Sequence, residues 1–302
     1  MNIQPGRVQS AVPCPLAKRI VSVLLFFWAF ILVVPSVFSQ PNPGSPTTQW
    51  VPILYGNSNY PDPSADQQTG SAESDIVGNL IQPSLYMQFN SGYLGFRLRV
   101  GADANPPGFK GAAFVGLDAD LNGSLDLFVG VNNQGKSDQV GIWNPGTGLN
   151  TSPKTTSIVS PALMSYTETS LNYGFTAVTA VNNPGATSFD LNGDGNTDQF
   201  LTFYVPFADI ASKLALAGIT FTANSPMQLV AATATQDNSL NQDLNGVTGG
   251  INSTLSWTQL GAFSQIYSPT GIAPVPEPST LSLCIIAATL LPLRFVRLRR
   301  RS

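Results

Sequence analysis

Through the middle of the chain, short apolar runs alternate with polar positions, and Gly, Asn and Pro fill the gaps between them. In Phe96-Arg97-Leu98-Arg99-Val100 the alternation has period two, the mark of a strand with one face on a core and the other on water. Runs of this kind predict strands over residues 50–55, 84–89, 95–100, 112–117, 126–131, 140–143, 200–205, 227–235 and 254–260. Residues 206–217, PFADIASKLALA, read instead as a helix. Proline stands in its first turn, Ile210, Leu214 and Ala217 share a face, and Gly218 stops it. Many short strands and one short helix predict an all-β fold, an antiparallel β-sandwich over residues 50–260.

Two polar interruptions between strands share a spacing. In FDLNGDGNTDQF, oxygen-bearing side chains fall at Asp190, Asn192, Asp194 and Asp198, with Gly195 sixth counted from Asp190. In LDADLNGSLDLF the same places hold Asp118, Asp120, Asn122 and Asp126, with Gly123 sixth. Short oxygen side chains at alternate positions let one turn wrap a hard cation, and the glycine takes the sharp bend. The seventh-position carbonyls, at Ser124 and Asn196, complete each set. An EF-hand would end in a glutamate at position twelve between helices. Here that position is Val129 or Leu201 and the flanks read as strands, so these are calcium-type loops on β-structure. Asn, Gly and Asp also make ordinary turns, but three carboxylates within nine residues repel one another unless a cation lies among them. Residues 233–246, TATQDNSLNQDLNG, lack the spacing; Asp237 and Asp243 are weaker candidates, and the stretch reads as a solvated turn.

Charge sharpens this picture. All 17 acidic residues fall within 40–278 against six basic ones, a formal −11 that the whole-chain value of −3 conceals. An acidic middle suits cation binding and counts against nucleic acid. The absence of histidine excludes a Ser-His-Asp centre and histidine-ligated metal. The two cysteines, Cys14 and Cys284, lie in terminal apolar segments and leave the middle without a disulfide.

The ends carry an address. Lys18-Arg19, the apolar run 20–34 and Val37-Phe38-Ser39 form a secretory signal peptide over 1–39, cleaved after Ser39; an uncleaved anchor is the alternative. Residues 40–49 and 261–275 read as linkers. At the other end, Pro276-Glu277-Pro278 precedes the apolar 279–293 and an arginine cluster that includes Arg299, Arg300 and Arg301. The apolar stretch predicts a single transmembrane helix held with its arginines inside. Motif, helix and basic tail, in that order over 276–302, resemble a PEP-CTERM sorting signal. The resemblance implies export, processing by an exosortase-type enzyme near the Pro-Glu-Pro motif, and release from an inner-membrane-anchored precursor to the cell surface or extracellular matrix. It also implies an association with exopolysaccharide and biofilm. The middle has a looser resemblance to exported carbohydrate-binding or DOMON-like β-sandwich modules. LDADLNGSLDLFVGV is similar to an FG-GAP repeat, but two copies are too few for a propeller.

These features predict a non-enzymatic, calcium-stabilised surface or matrix protein. A carbohydrate-binding module is the alternative, with Trp143, Tyr166, Tyr173 and Trp257 as contributors to a sugar platform, although aromatics in sandwiches more often pack inside. A glycosidase would need paired carboxylates. Outside the sorting motif only Glu73 and Glu168 are glutamates, and no nucleophile elbow or phosphate loop occurs.

Overall fold

The alternation around Arg97 and Arg99 carries directly into β3 (Tyr93–Val100). The computed structural model describes residues 40–55, 62–69, 71–105, 108–135 and 138–272. It places β3 in a five-stranded antiparallel sheet, in the order β1 (Val51–Ile53), β2 (Leu85–Asn90), β3, β9 (Gln199–Pro206) and β8 (Tyr173–Ala177). A six-stranded antiparallel sheet runs β11 (Asp243–Leu244), β10 (Gln228–Ala234), β4 (Ala112–Asp118), β5 (Leu127–Asn132), β6 (Gln139–Trp143) and β7 (Met164–Thr167). A ribbon of β12 (Tyr267–Ser268) and β13 (Gly271–Ile272) follows. Alternate residues from both sheets meet in one core. Phe96, Leu98 and Phe203 come from the first, and Val115, Val129, Ile142 and Leu229 from the second. This is the all-β, two-sheet arrangement that the period-two pattern predicts.

The polar face of β3 is not on water, as its alternation suggested. Arg97 and Arg99 are buried. Arg97 donates from Nε to Thr202 Oγ1 at 2.9 Å, and from its two terminal nitrogens to the carbonyls of Ser45 at 2.8 Å and Pro43 at 2.6 Å. Its guanidinium lies 4.4 Å from the Trp50 ring centroid and 5.0 Å from that of Phe200, a stacking that Arg makes favourably. Residues 40–49, read as a linker, therefore lie along the outside of the five-stranded sheet. On the outer face of the other sheet, Phe114, Phe128 and Trp143 pack with Leu240, Trp257, Ala262 and Phe263.

The helix α1 (Phe207–Leu216) forms as its pattern predicts, with Pro206 as N-cap, Ile210 and Leu214 in the inter-sheet core and Gly218 at φ +83° beyond its end. The strand expected over 254–260 is instead a short helix, α2 (Trp257–Leu260). Ser256 Oγ accepts from the Gln259 amide at 3.2 Å and Gln259 Oε1 from the Ser256 amide at 2.9 Å. That reciprocal capping box outweighs the apolar content of the segment. Strands β7 and β8 were not foreseen. Each lies at a sheet edge and is half-exposed, so neither needs a strong apolar pattern. The expected signal peptide over 1–39, Pro276, Glu277, Pro278, the stretch 279–293 expected to be a transmembrane helix, and Arg299, Arg300 and Arg301 lie outside the described residues. Among the described residues no helix is long and apolar enough to cross a membrane.

Candidate metal centre

The two loops wrap their backbones in the same way. The first-position carboxylate accepts from the amides of the fifth and sixth residues: Asp118 from Asn122 at 3.1 Å and Gly123 at 2.8 Å, Asp190 from Asp194 at 3.2 Å and Gly195 at 2.9 Å. The third residue follows suit, Asp120 accepting from the Asn122 amide at 3.2 Å and Asn192 from the Asp194 amide at 3.3 Å. Asn122 Oδ1 accepts from the Ser124 amide and Asp194 Oδ1 from the Asn196 amide, both at 2.8 Å. The ninth-position carboxylate closes each ring, Asp126 on the Ala119 amide at 2.8 Å and Asp198 on the Leu191 amide at 3.1 Å. Both sixth-position glycines have φ +87°, a conformation side chains disfavour.

Their surroundings differ. In loop 118–126 one carboxylate oxygen from each of Asp118, Asp120 and Asp126 lies within 4.8 Å of the others. Burial raises the carboxyl of Asp118, and raises that of Asp126 to about 6, with acidic neighbours adding to both. Such a set lacks positive charge. Loop 190–198 supplies no comparable trio. The Arg99 guanidinium, projecting from β3, meets Asp198 Oδ2 at 2.6 Å with both side chains fully buried. It also donates to Gln82 Oε1 at 2.6 Å and Ser188 O at 3.1 Å. Burial lifts Asp198 to about 6 against the pull of Arg99. The Asn192 side chain hydrogen-bonds to Asp75, outside its own loop. Asp198 Oδ1 is buried without a hydrogen-bond partner, while Asp194 and Asn196 are exposed.

Compared with protein-family models, curated proteins and solved structures, the chain matches none. Its function must be read from the residues.

The other candidates scatter. Trp143 and Trp257 are fully buried, and Trp257 Nε1 donates to Asn150 O at 2.8 Å, so neither presents a face to a sugar. Tyr166 and Tyr173 are half-exposed; the Tyr166 hydroxyl donates to Asp209 at 2.6 Å, and that of Tyr173 accepts from Asn133 at 3.2 Å. Glu73 is buried under hydrogen bonds from Asn105 Nδ2, at 3.1 Å, and the Lys110 amide. Burial raises Glu168 to about 7. Asp237 accepts from Ser160 Oγ at 2.6 Å. Asp243, a weak candidate by its spacing, is fully buried and gathers with Asp62 and Asp66. Sequence reasoning missed Asp62 and Asp66, because nothing in a chain separation of this length signals a meeting with Asp243.

Proposed function

We propose that this chain is an exported, non-enzymatic surface or matrix protein whose β-sandwich is stabilised by calcium at loop 118–126. The observation that carries the reading is the convergence of Asp118, Asp120 and Asp126 on a loop whose turn is already formed. Hard oxygen donors of this kind suit calcium, with the Asn122 side chain and the Ser124 carbonyl as further ligands. An ion that binds only the folded chain raises stability by linkage, by about 2.7 kcal/mol at a hundredfold excess over Kd. Loop 190–198 shares the wrap, and Arg99 supplies there a fixed positive charge. Routing rests on the terminal sequences: a signal peptide, then processing of a membrane-held precursor by an exosortase-type enzyme. Calcium and chelator melts of the full-length protein test the stabilising role. The reading requires a higher Tm with calcium and a smaller shift in Asp118→Asn; no shift in the wild type, or a shift that Asp118→Asn leaves unchanged, refutes it.

One observation favours the carbohydrate-binding reading. Tyr93, Tyr166, Asn172 and Leu171 line a groove to which both sheets contribute, Tyr93 from β3 and Tyr166 from β7. Tyrosine joins an apolar ring to a polar hydroxyl, which suits a ligand that is apolar on one side and hydroxylated on the other. Retardation of the protein in a polysaccharide-containing gel, abolished by Tyr166→Ala, supports it; unretarded migration on exopolysaccharide removes it.

A further inference from the structure

A second acidic group forms where no motif announces one. Asp62 and Asp66 lie in the long connection between β1 and β2, and Asp243 lies in β11. One carboxylate oxygen from each lies within 4.8 Å of the others. Asp62 is 3% exposed and Asp243 0%. Each carboxylate is tethered through one oxygen by a backbone amide: Asp62 Oδ1 by Gly246 at 2.6 Å, Asp66 Oδ2 by Gly249 at 2.8 Å, Asp243 Oδ2 by Ile76 at 2.7 Å. The other three oxygens, Asp62 Oδ2, Asp66 Oδ1 and Asp243 Oδ1, are buried and have no hydrogen-bond partner. Asp75, also buried, lies close enough to add its charge, its own oxygens accepting from the Ala65 amide at 2.9 and 3.1 Å.

Carboxylates held in this way do not persist as bare charges. Leaving a buried ion uncompensated costs several kcal/mol, and an orphaned buried oxygen adds a desolvation cost. Either protons or a cation must fill the gap. The charges acting on Asp62 are those of Asp243, Asp66 and Asp75, all of the same sign.

We infer that Asp62, Asp66 and Asp243 form a divalent-cation site, with calcium the fitting ion, that fastens the β1–β2 connection to the segment after β11. The amide tethers set one oxygen of each carboxylate in place and leave the second for the metal, the arrangement by which outer hydrogen bonds orient ligands. An all-oxygen donor set with no nitrogen or sulfur selects a hard cation. The site shares no ligand with loop 118–126, so it stands or falls independently of the function proposed above. Protonation is the competing way to relieve the repulsion, since burial and like charges raise Asp243 to about 8.

The experiment separates the two. Full-length protein carrying Asp118→Asn, stripped of metal with a chelator, is titrated with calcium at pH 7.5 while amide hydrogen exchange is followed. The inference requires calcium to slow exchange at the Ile76, Gly246 and Gly249 amides. Adding Asp243→Asn should weaken that response at least about tenfold, as expected when a site loses ligand charge. Because Asp243→Asn sits in a strand and can disturb folding, half-buried Asp66→Asn serves as a second variant and should weaken the response in the same direction. Exchange at those three amides that is indifferent to calcium overturns the inference in favour of protonated carboxyls. So does a calcium response that both variants leave intact.

Discussion

Loops 118–126 and 190–198 have the same ring of backbone hydrogen bonds and the same glycine conformation, yet they differ in what lies against their carboxylates. In the second loop, Arg99 from β3 reaches Asp198 at 2.6 Å; in the first, the carboxylates gather with one another. The ligand spacing thus specifies the wrap of the chain, and tertiary neighbours decide where the balancing charge comes from. Arg99 can do this because β3 pairs with β9 in a register that sets Arg99 opposite Phe200, two residues after Asp198. Strand β4, which leads into the first loop, places Asp118 opposite Gln228, an uncharged residue.

The largest expected effect lies on the Arg99 side. Arg99→Met leaves Asp198 buried and unpaired and should destabilise the protein by about 3–5 kcal/mol, with the Arg99→Met/Asp198→Asn pair recovering part of it. Urea unfolding measures both, and a loss below about 1 kcal/mol for the single variant would place this pair with exposed ones. Next comes calcium removal. Chelation should destabilise the wild type; Asp118→Asn should remove the part of that response that loop 118–126 supplies, about 2.7 kcal/mol at a hundredfold calcium excess, and Asp190→Asn much less. Equal losses in calorimetry would erase the distinction between the loops.

The glycines test what the loops share. Gly123 and Gly195 both have φ +87° with open space where a Cβ would go, so alanine at either meets backbone strain alone. Each substitution should cost about 1–2 kcal/mol in chelated protein, the penalty of a left-handed residue. Costs that differ by more than that range would mean the two rings are not alike. Smallest of all, Asp194→Asn recreates at an exposed position the residue that Asn122 provides in the other loop. Its effect on the unfolding free energy should stay within about 0.5 kcal/mol, with or without calcium, in urea unfolding.

The sequence made strands legible where apolar and charged residues alternate, as in β3, and where apolar runs stand between turn residues, as in β4 and β9; it made both loops legible through their ligand spacing. The helix at Phe207 was readable from Ile210, Leu214 and Gly218. What stayed hidden depended on long-range meetings. Nothing local shows that Arg97 and Arg99 face a covering segment, because a polar residue on an alternating strand looks the same whether water or chain lies above it. Asp62 and Asp66 are separated from Asp243 by most of the fold, and no spacing rule connects them. The helix at Trp257 was readable in principle, since Ser256 and Gln259 stand at capping-box spacing; the apolar residues around them masked it.

The most direct test is a calcium titration followed at two backbone amides, those of Gly123 and Gly195, by NMR in the full-length protein. The account predicts that the Gly123 resonance moves and saturates as loop 118–126 takes up the ion, while Gly195, in the loop held by Arg99, moves far less. Equal, saturating movement of both, or none at Gly123, would contradict it.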